Sequence, residues 1–179
     1  RLGVAHLYSS PVLRARDGSS HGYDVVDPKT IHPSLGDEND FRALVTALRA
    51  YGMGGILDIV PNNMAASSTE NPYWHDVLMY GKSAPYAGWF DIDWRMPRRQ
   101  LWGRVLVPIL GQRLSRVLAD DQLQLEWQEG RFLIRYFDHL FPLDPASLPA
   151  IIRFGIDDLE LRLGAGHNAL AEMHRLDDK

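Results

Sequence analysis

The sequence predicts an α/β fold, and three observations carry that expectation. Residues 4–8 and residues 55–60 are short apolar runs bounded by glycine, serine and proline, the pattern of buried strands. Between them Phe41, Leu44, Val45 and Leu48 recur at i, i+3, i+4 and i+7, which is one apolar face of a helix. Strand, helix and strand within about sixty residues make a βαβ unit, whose strands lie parallel across a right-handed crossover.

The first run follows Gly3 and ends at Ser9-Ser10-Pro11. The chain starts at Arg1 without a methionine and enters this run at once, so a piece of a longer chain is expected. Residues 14–27 form a polar loop rich in Gly and Ser. Asp37 is the expected helix N-cap, followed by acidic residues in the first turn, and Gly52 is the expected stop. The second run ends at Pro61. Nearly unbroken apolar runs suit parallel strands buried on both faces, and Asp58 is the one carboxylate set within them.

Beyond Pro61 the character changes. Residues 65–100 are irregular and aromatic, with Tyr73, Trp74, Tyr80, Tyr86, Trp89, Phe90 and Trp94. An apolar run covers residues 105–110. Leu123, Leu125 and Trp127 then alternate, as do Phe132, Ile134 and Tyr136, with Glu129-Gly130 between them. That pattern predicts a β-hairpin over about 122–137. A proline-rich connection, residues 142–149, leads to a weak helix expected at about 157–176, around Leu159, Leu163, Leu170 and Met173 and interrupted by Gly164 and Gly166. The expected division is a βαβ portion in residues 1–64 and a smaller, partly β portion in residues 65–179.

Composition excludes several classes. Of 179 residues 45% are hydrophobic and 23% charged, which is globular rather than disordered. A net charge of −4 with mixed signs provides no basic face for nucleic acid. No run approaches the ~20 apolar residues of a membrane-spanning helix. Cysteine is absent, which removes disulfides and thiolate metal sites and is compatible with the cytoplasmic location expected here. His75, His139, His167 and His174 have no metal-binding spacing, so no metal is expected, and no other cofactor.

In parallel α/β folds ligands sit at the C-terminal ends of strands. Two segments occupy such places. In the loop after the first run stand His21-Gly22-Tyr23-Asp24. A flat aromatic face beside hydrogen-bonding groups suits a sugar ring, with its apolar faces and polar rim. The plainer reading is a tyrosine packing down a loop beside a surface histidine. The second segment is Asp58-Ile59-Val60-Pro61-Asn62-Asn63. A carboxylate there needs partners, since burying it alone is costly. It is either a structural brace or a pocket wall that orients substrate hydroxyls. Trp74, Trp89 and Trp94 are expected in a core, with sugar platforms as the alternative.

Together the two segments resemble the α-amylase superfamily of glycoside hydrolases and transglycosylases. His21-Gly22-Tyr23-Asp24 resembles the loop whose tyrosine stacks on the sugar in subsite −1. Residues 58–63 resemble the superfamily's first conserved region, Asp-x-x-x-Asn-His. Further stretches, residues 10–19, Pro85-Tyr86, residues 90–94, residues 107–111, residues 135–139 and Phe141-Pro142-Leu143, resemble the maltooligosyl trehalose synthase branch. The resemblance implies a partial (β/α)8 TIM barrel, one βαβ unit of it in this chain, with an inserted, partly β subdomain after the third barrel strand. It implies a subsite −1 wall built from His21, Tyr23, Asp24, Asp58, Asn62 and Asn63. It further implies a maltooligosaccharide or α-glucan substrate and the rest of the barrel as the structural partner, while the composition leaves no nucleic-acid or membrane partner expected.

The activity so implied is an intramolecular transglycosylation that converts the reducing-end α-1,4 link to an α,α-1,1 link. The superfamily works with retention, through a nucleophilic aspartate, an acid–base glutamate and a second aspartate. Those carboxylates follow later strands, so no catalytic residue is expected in this chain. The nearest lookalike, residues 153–158, lacks an arginine two residues before an aspartate. The short chain is therefore expected to be inactive alone. Asn63 stands where the superfamily has histidine; asparagine donates a hydrogen bond but cannot become cationic. The rival readings are an α-glucan-binding protein without turnover and an amylase-type hydrolase.

Overall fold

In the computed structural model, residues 3–128 and 130–163 are described, with side chains through Ile156. The chain forms two compact units, Arg1–His75 and Asp76–Lys179.

The first unit holds the βαβ unit. Its strands are β1 (His6–Ser9), β2 (Leu13–Ala15), β3 (Val25–Ile31) and, after helix α1 (Glu38–Ala50), β4 (Gly54–Leu57). β1 and β4 pair in parallel, with His6 opposite Gly54 and Tyr8 opposite Ile56. A Cβ on Gly54 would sit 2.6 Å from the His6 ring, so a side chain there would have to displace that ring.

α1 begins where Asp37 was expected to cap it. The Asp37 carboxylate accepts from the backbone N–H of Asn39 and Asp40, and the Asp40 carboxylate accepts from that of Asp37, which completes a capping box. The helix ends at Ala50, with Tyr51 as its C-cap. Gly52 follows at φ +65°, donating to Arg49 O, while Met53 donates to Leu48 O. That pair of bonds satisfies carbonyls the helix would otherwise leave open.

Two expectations change here. The strands are shorter than the apolar runs, and most of their residues are exposed rather than buried: Leu7 is 37% exposed and Ile56 47%. Among the described residues this two-stranded sheet is flanked by α1, and an open groove of about 300 Å³ remains between them, lined by Leu7, Phe41, Leu44, Leu48 and Ile56. A pair of strands with one helix cannot bury both of its faces. Secondly, the polar loop of residues 14–27 has strands at its margins, because β2 and β3 pair antiparallel with two register shifts.

The buried core of the first unit lies at β2, β3 and the start of α2 (Pro72–Tyr80), in Ala15, Val25, Val26, Ala65 and Tyr73. Asn71 is fully buried and caps α2. Its Oδ1 accepts from the N–H of Tyr73 and Trp74, and its Nδ2 donates to Ala65 O. Tyr73 donates through its hydroxyl to Asp27, also on β3.

In the second unit β5 (Leu123–Gln128), β6 (Arg131–Tyr136) and β7 (His139–Pro142) form an antiparallel sheet. Glu129, between the first two, lies outside the described residues. Arg135 grips Glu126 across the polar face through two nitrogens. On the other face the buried Tyr136 accepts from Gly111 N–H. α3 (Leu114–Ala119) contributes the buried Val117 and α4 (Leu148–Leu163) the buried Ile156.

α4 starts at Leu148, earlier than the helix expected at 157–176, because Pro149 falls in its first turn, where a missing N–H is tolerated. Residues 164–176 of that expectation lie outside the described residues. Nor does Trp89 join a core: it is 50% exposed, edge-on to Tyr86. Among the described residues no helix is long and apolar enough to cross a membrane.

Candidate functional site

Asp58 follows the last residue of β4, and its N–H donates to Ser9 O, so the parallel ladder continues one step past the strands. Tyr8 lies opposite Ile56, and Asp58 is two residues beyond Ile56. The two-residue period of a strand puts Tyr8 and Asp58 on one face, at the C-terminal end of the pair. There the Tyr8 hydroxyl donates to Asp58 Oδ2 at 2.8 Å.

Tyr23 arrives from the long loop and donates through its own hydroxyl to the same oxygen at 2.6 Å. Asp58 is therefore a half-buried acceptor held by two phenols, and not a carboxylate inside an apolar strand. The bonds from Tyr23 and then Tyr8 hold its carboxyl below the ordinary aspartate value, against a smaller opposing effect of desolvation. Reciprocally, the hydrogen bond to Asp58 raises the Tyr8 and Tyr23 hydroxyls above the ordinary phenol value.

The loop that delivers Tyr23 is held by its own backbone. Gly22 takes φ +76°, and a Cβ there would lie 3.1 Å from Pro11 O. Arg16 N–H donates to Asp24 O and Ser19 N–H to Arg16 O. Arg16 also pairs with Glu70 at 2.8 Å, which ties the loop to the segment before α2.

The six expected site residues divide into three groups. Tyr23 and Asp58 are bonded directly, and His21 stacks on the Tyr23 ring with centroids 5.7 Å apart while accepting at Nδ1 from Tyr23 N–H. Asp24 turns back into its own loop, where its carboxylate accepts a close hydrogen bond from the Ser19 hydroxyl. Asn62 and Asn63 lie exposed in and after the turn that begins at Pro61.

Tyr8, Arg16 and Glu70 were not among the expected site residues. Tyr8 had a signal, since an in-register parallel pair aligns the end of one apolar run with the end of the next. Arg16 and Glu70 had none, because long-range ion pairs leave no local pattern. No group of three or more His, Asp or Glu able to hold a metal occurs among the described residues.

This constellation can present an aromatic plate and an ionised acceptor to a polyhydroxylated ring. Residues 1–142 match the α-amylase family, described as "Alpha amylase, catalytic domain". The chain belongs to the α-amylase family. Within that family it is 49% identical over 147 residues to a Mycobacterium tuberculosis protein assigned as a maltooligosyl trehalose synthase, which covers 82% of this chain and 18% of that protein. It is 40% identical over 91 residues to the intracellular maltogenic amylase of Bacillus subtilis, covering 51% of this chain and 15% of that protein. A solved structure of the Arthrobacter ramosus maltooligosyltrehalose synthase superposes with a TM-score of 0.68 at 35% identity, over 81% of this chain and 18% of that one. This α-amylase-family chain thus spans about a fifth of the length of the relatives it matches.

Proposed function

We propose that the chain supplies one wall of subsite −1 in a maltooligosyl trehalose synthase. In this reading Tyr23 stacks on the glucose ring, with Asp58 fixing the stacking tyrosine, and His21, Asp24, Asn62 and Asn63 lie around the same pocket. β1 and β4 are neighbouring strands of a (β/α)8 barrel, and their exposed apolar faces are covered by further strands and helices of that barrel. Residues 65–179 are the subdomain inserted after the third barrel strand.

The observation that carries the reading is the Tyr23–Asp58 bond at the C-terminal end of a parallel pair, where α/β barrels place their sites. The similarity extends over 147 residues to the trehalose synthase relative and over 91 to the amylase one, and this favours the synthase reading over the amylase one.

The chemistry follows from the retaining pattern: a carboxylate attacks the anomeric carbon, and a second group delivers and then removes the proton. Those groups lie on strands beyond this chain. What the residues here contribute is orientation: a face for the ring and an acceptor that holds that face in place.

The test is an assay of maltopentaose turnover by the continuous reading frame that contains this segment and by the 179-residue chain alone. The full protein is expected to form a trehalosyl product and the short chain none. A full protein that only hydrolyses would exclude the synthase reading; product from the short chain would exclude the division of labour.

A further inference from the structure

We infer that Tyr8 is a positioning residue for the stacking tyrosine, acting through Asp58. This rests on the reading of Tyr23 as the subsite −1 platform and deepens it. Tyr8 belongs to neither of the two segments that carry the site motifs. It stands on β1 opposite Ile56, so its side chain emerges on the face that Asp58 shares.

The geometry is specific. Both hydroxyls donate to one oxygen, Tyr8 at 2.8 Å and Tyr23 at 2.6 Å, so the two lone pairs of Oδ2 are both engaged. The carboxylate is then fixed on two sides. Tyr8 is anchored in a strand, whereas Tyr23 is carried by a loop that turns at Gly22. The strand-borne partner therefore sets the position of Asp58, and Asp58 sets the position of the loop-borne ring. The Tyr8 hydroxyl is the bond that ties the Asp58 carboxylate back to strand β1. Without it, Oδ2 is free to turn toward water and the ring loses its fixed tilt.

Ring position matters equally for substrate and transition state, so the expected effect lies in binding. In the full-length protein, Tyr8→Phe is expected to raise the KM for maltopentaose consumption about 3- to 10-fold with kcat within about 2-fold, the range of one hydrogen bond. In an Asp58→Ala background the same change is expected to alter KM by less than about 2-fold, since the acceptor that both hydroxyls share is already gone.

An unchanged KM in Tyr8→Phe, or an equal effect in both backgrounds, would overturn the inference. Tyr23→Ala separates this from the underlying reading. If Tyr23→Ala leaves KM unchanged, the platform reading itself fails; if it raises KM while Tyr8→Phe does not, only the role of Tyr8 fails. Should Tyr8→Phe misfold, Tyr8→4-aminophenylalanine, which keeps a donor at the reach of the phenol hydroxyl, must preserve KM for the inference to stand.

Discussion

The Tyr23 hydroxyl donates a 2.6 Å hydrogen bond to Oδ2 of Asp58, joining a loop to a strand end 35 residues away. The bond ties the ionisation of both groups to the fold. Asp58 titrates below its ordinary value of 3.8, so its contribution is complete above that value and is lost as pH falls through the lowered one. The tyrosines titrate above 10.0, so theirs is complete below that value and is lost as pH rises through the raised one. An ultraviolet titration of tyrosine ionisation should therefore show two phenols that ionise late, and Asp58→Asn should bring both back toward 10.0. Identical titration curves for the two proteins would mean that the bonds do not form in solution.

Gly22 decides whether the Tyr23 loop can form at all. Its φ of +76° is costly for a residue with a side chain, and a Cβ would crowd the backbone oxygen of the buried Pro11 at 3.1 Å. Gly22→Ala should cost about 2 kcal/mol, read as a lower urea midpoint. Gly18 has the same φ with nothing within 4 Å, so Gly18→Ala isolates the backbone part and should cost about 1 kcal/mol. Equal losses at the two positions would show that the contact with Pro11 contributes nothing.

Legibility in the sequence followed the range of the interactions. α1 was readable from Asp37 to Gly52, because capping and periodicity are local chemistry. The βαβ order was readable for the same reason. Burial of β1 and β4 was not, since an apolar run reports what a strand can bury and not what covers it in this chain. Asp58 was readable as a carboxylate needing partners, but its partners came from 35 and 50 residues away. Tyr8 was hidden because it looked like one more apolar residue of a strand. β2 and β3 escaped because strands interrupted by register shifts and by Pro28 show no clean alternation.

The capping box at Asp37 makes a prediction independent of the site. Its carboxylate satisfies two otherwise open N–H groups of α1, at 2.7 and 3.1 Å. Asp37→Ala should destabilise the chain by about 1 kcal/mol, and Asp37→Asn, which retains an acceptor, by appreciably less. Denaturant midpoints decide it, and equal losses would mean that charge near the helix end, rather than the hydrogen bonds, carries the effect.

Asn63 allows the proposed function to be tested by a gain rather than a loss. It stands exposed after the turn at Pro61, and in the proposed reading it takes the place where the superfamily pattern has histidine. Its amide can donate a hydrogen bond to a sugar hydroxyl, yet it carries no charge to strengthen that bond as the transition state develops. An imidazolium at the same point would add a charge-assisted bond, roughly 1–3 kcal/mol. Asn63→His in the full-length protein should therefore raise kcat/KM on maltopentaose about tenfold. The gain should be largest below pH ~6.5, where histidine is protonated, and should shrink as pH rises above it. A pH-independent gain would point to the shape of the ring instead of its charge. A loss at every pH would mean that the pocket of this protein is fitted to asparagine, so that residue 63 is part of its own specificity and not an imperfect copy.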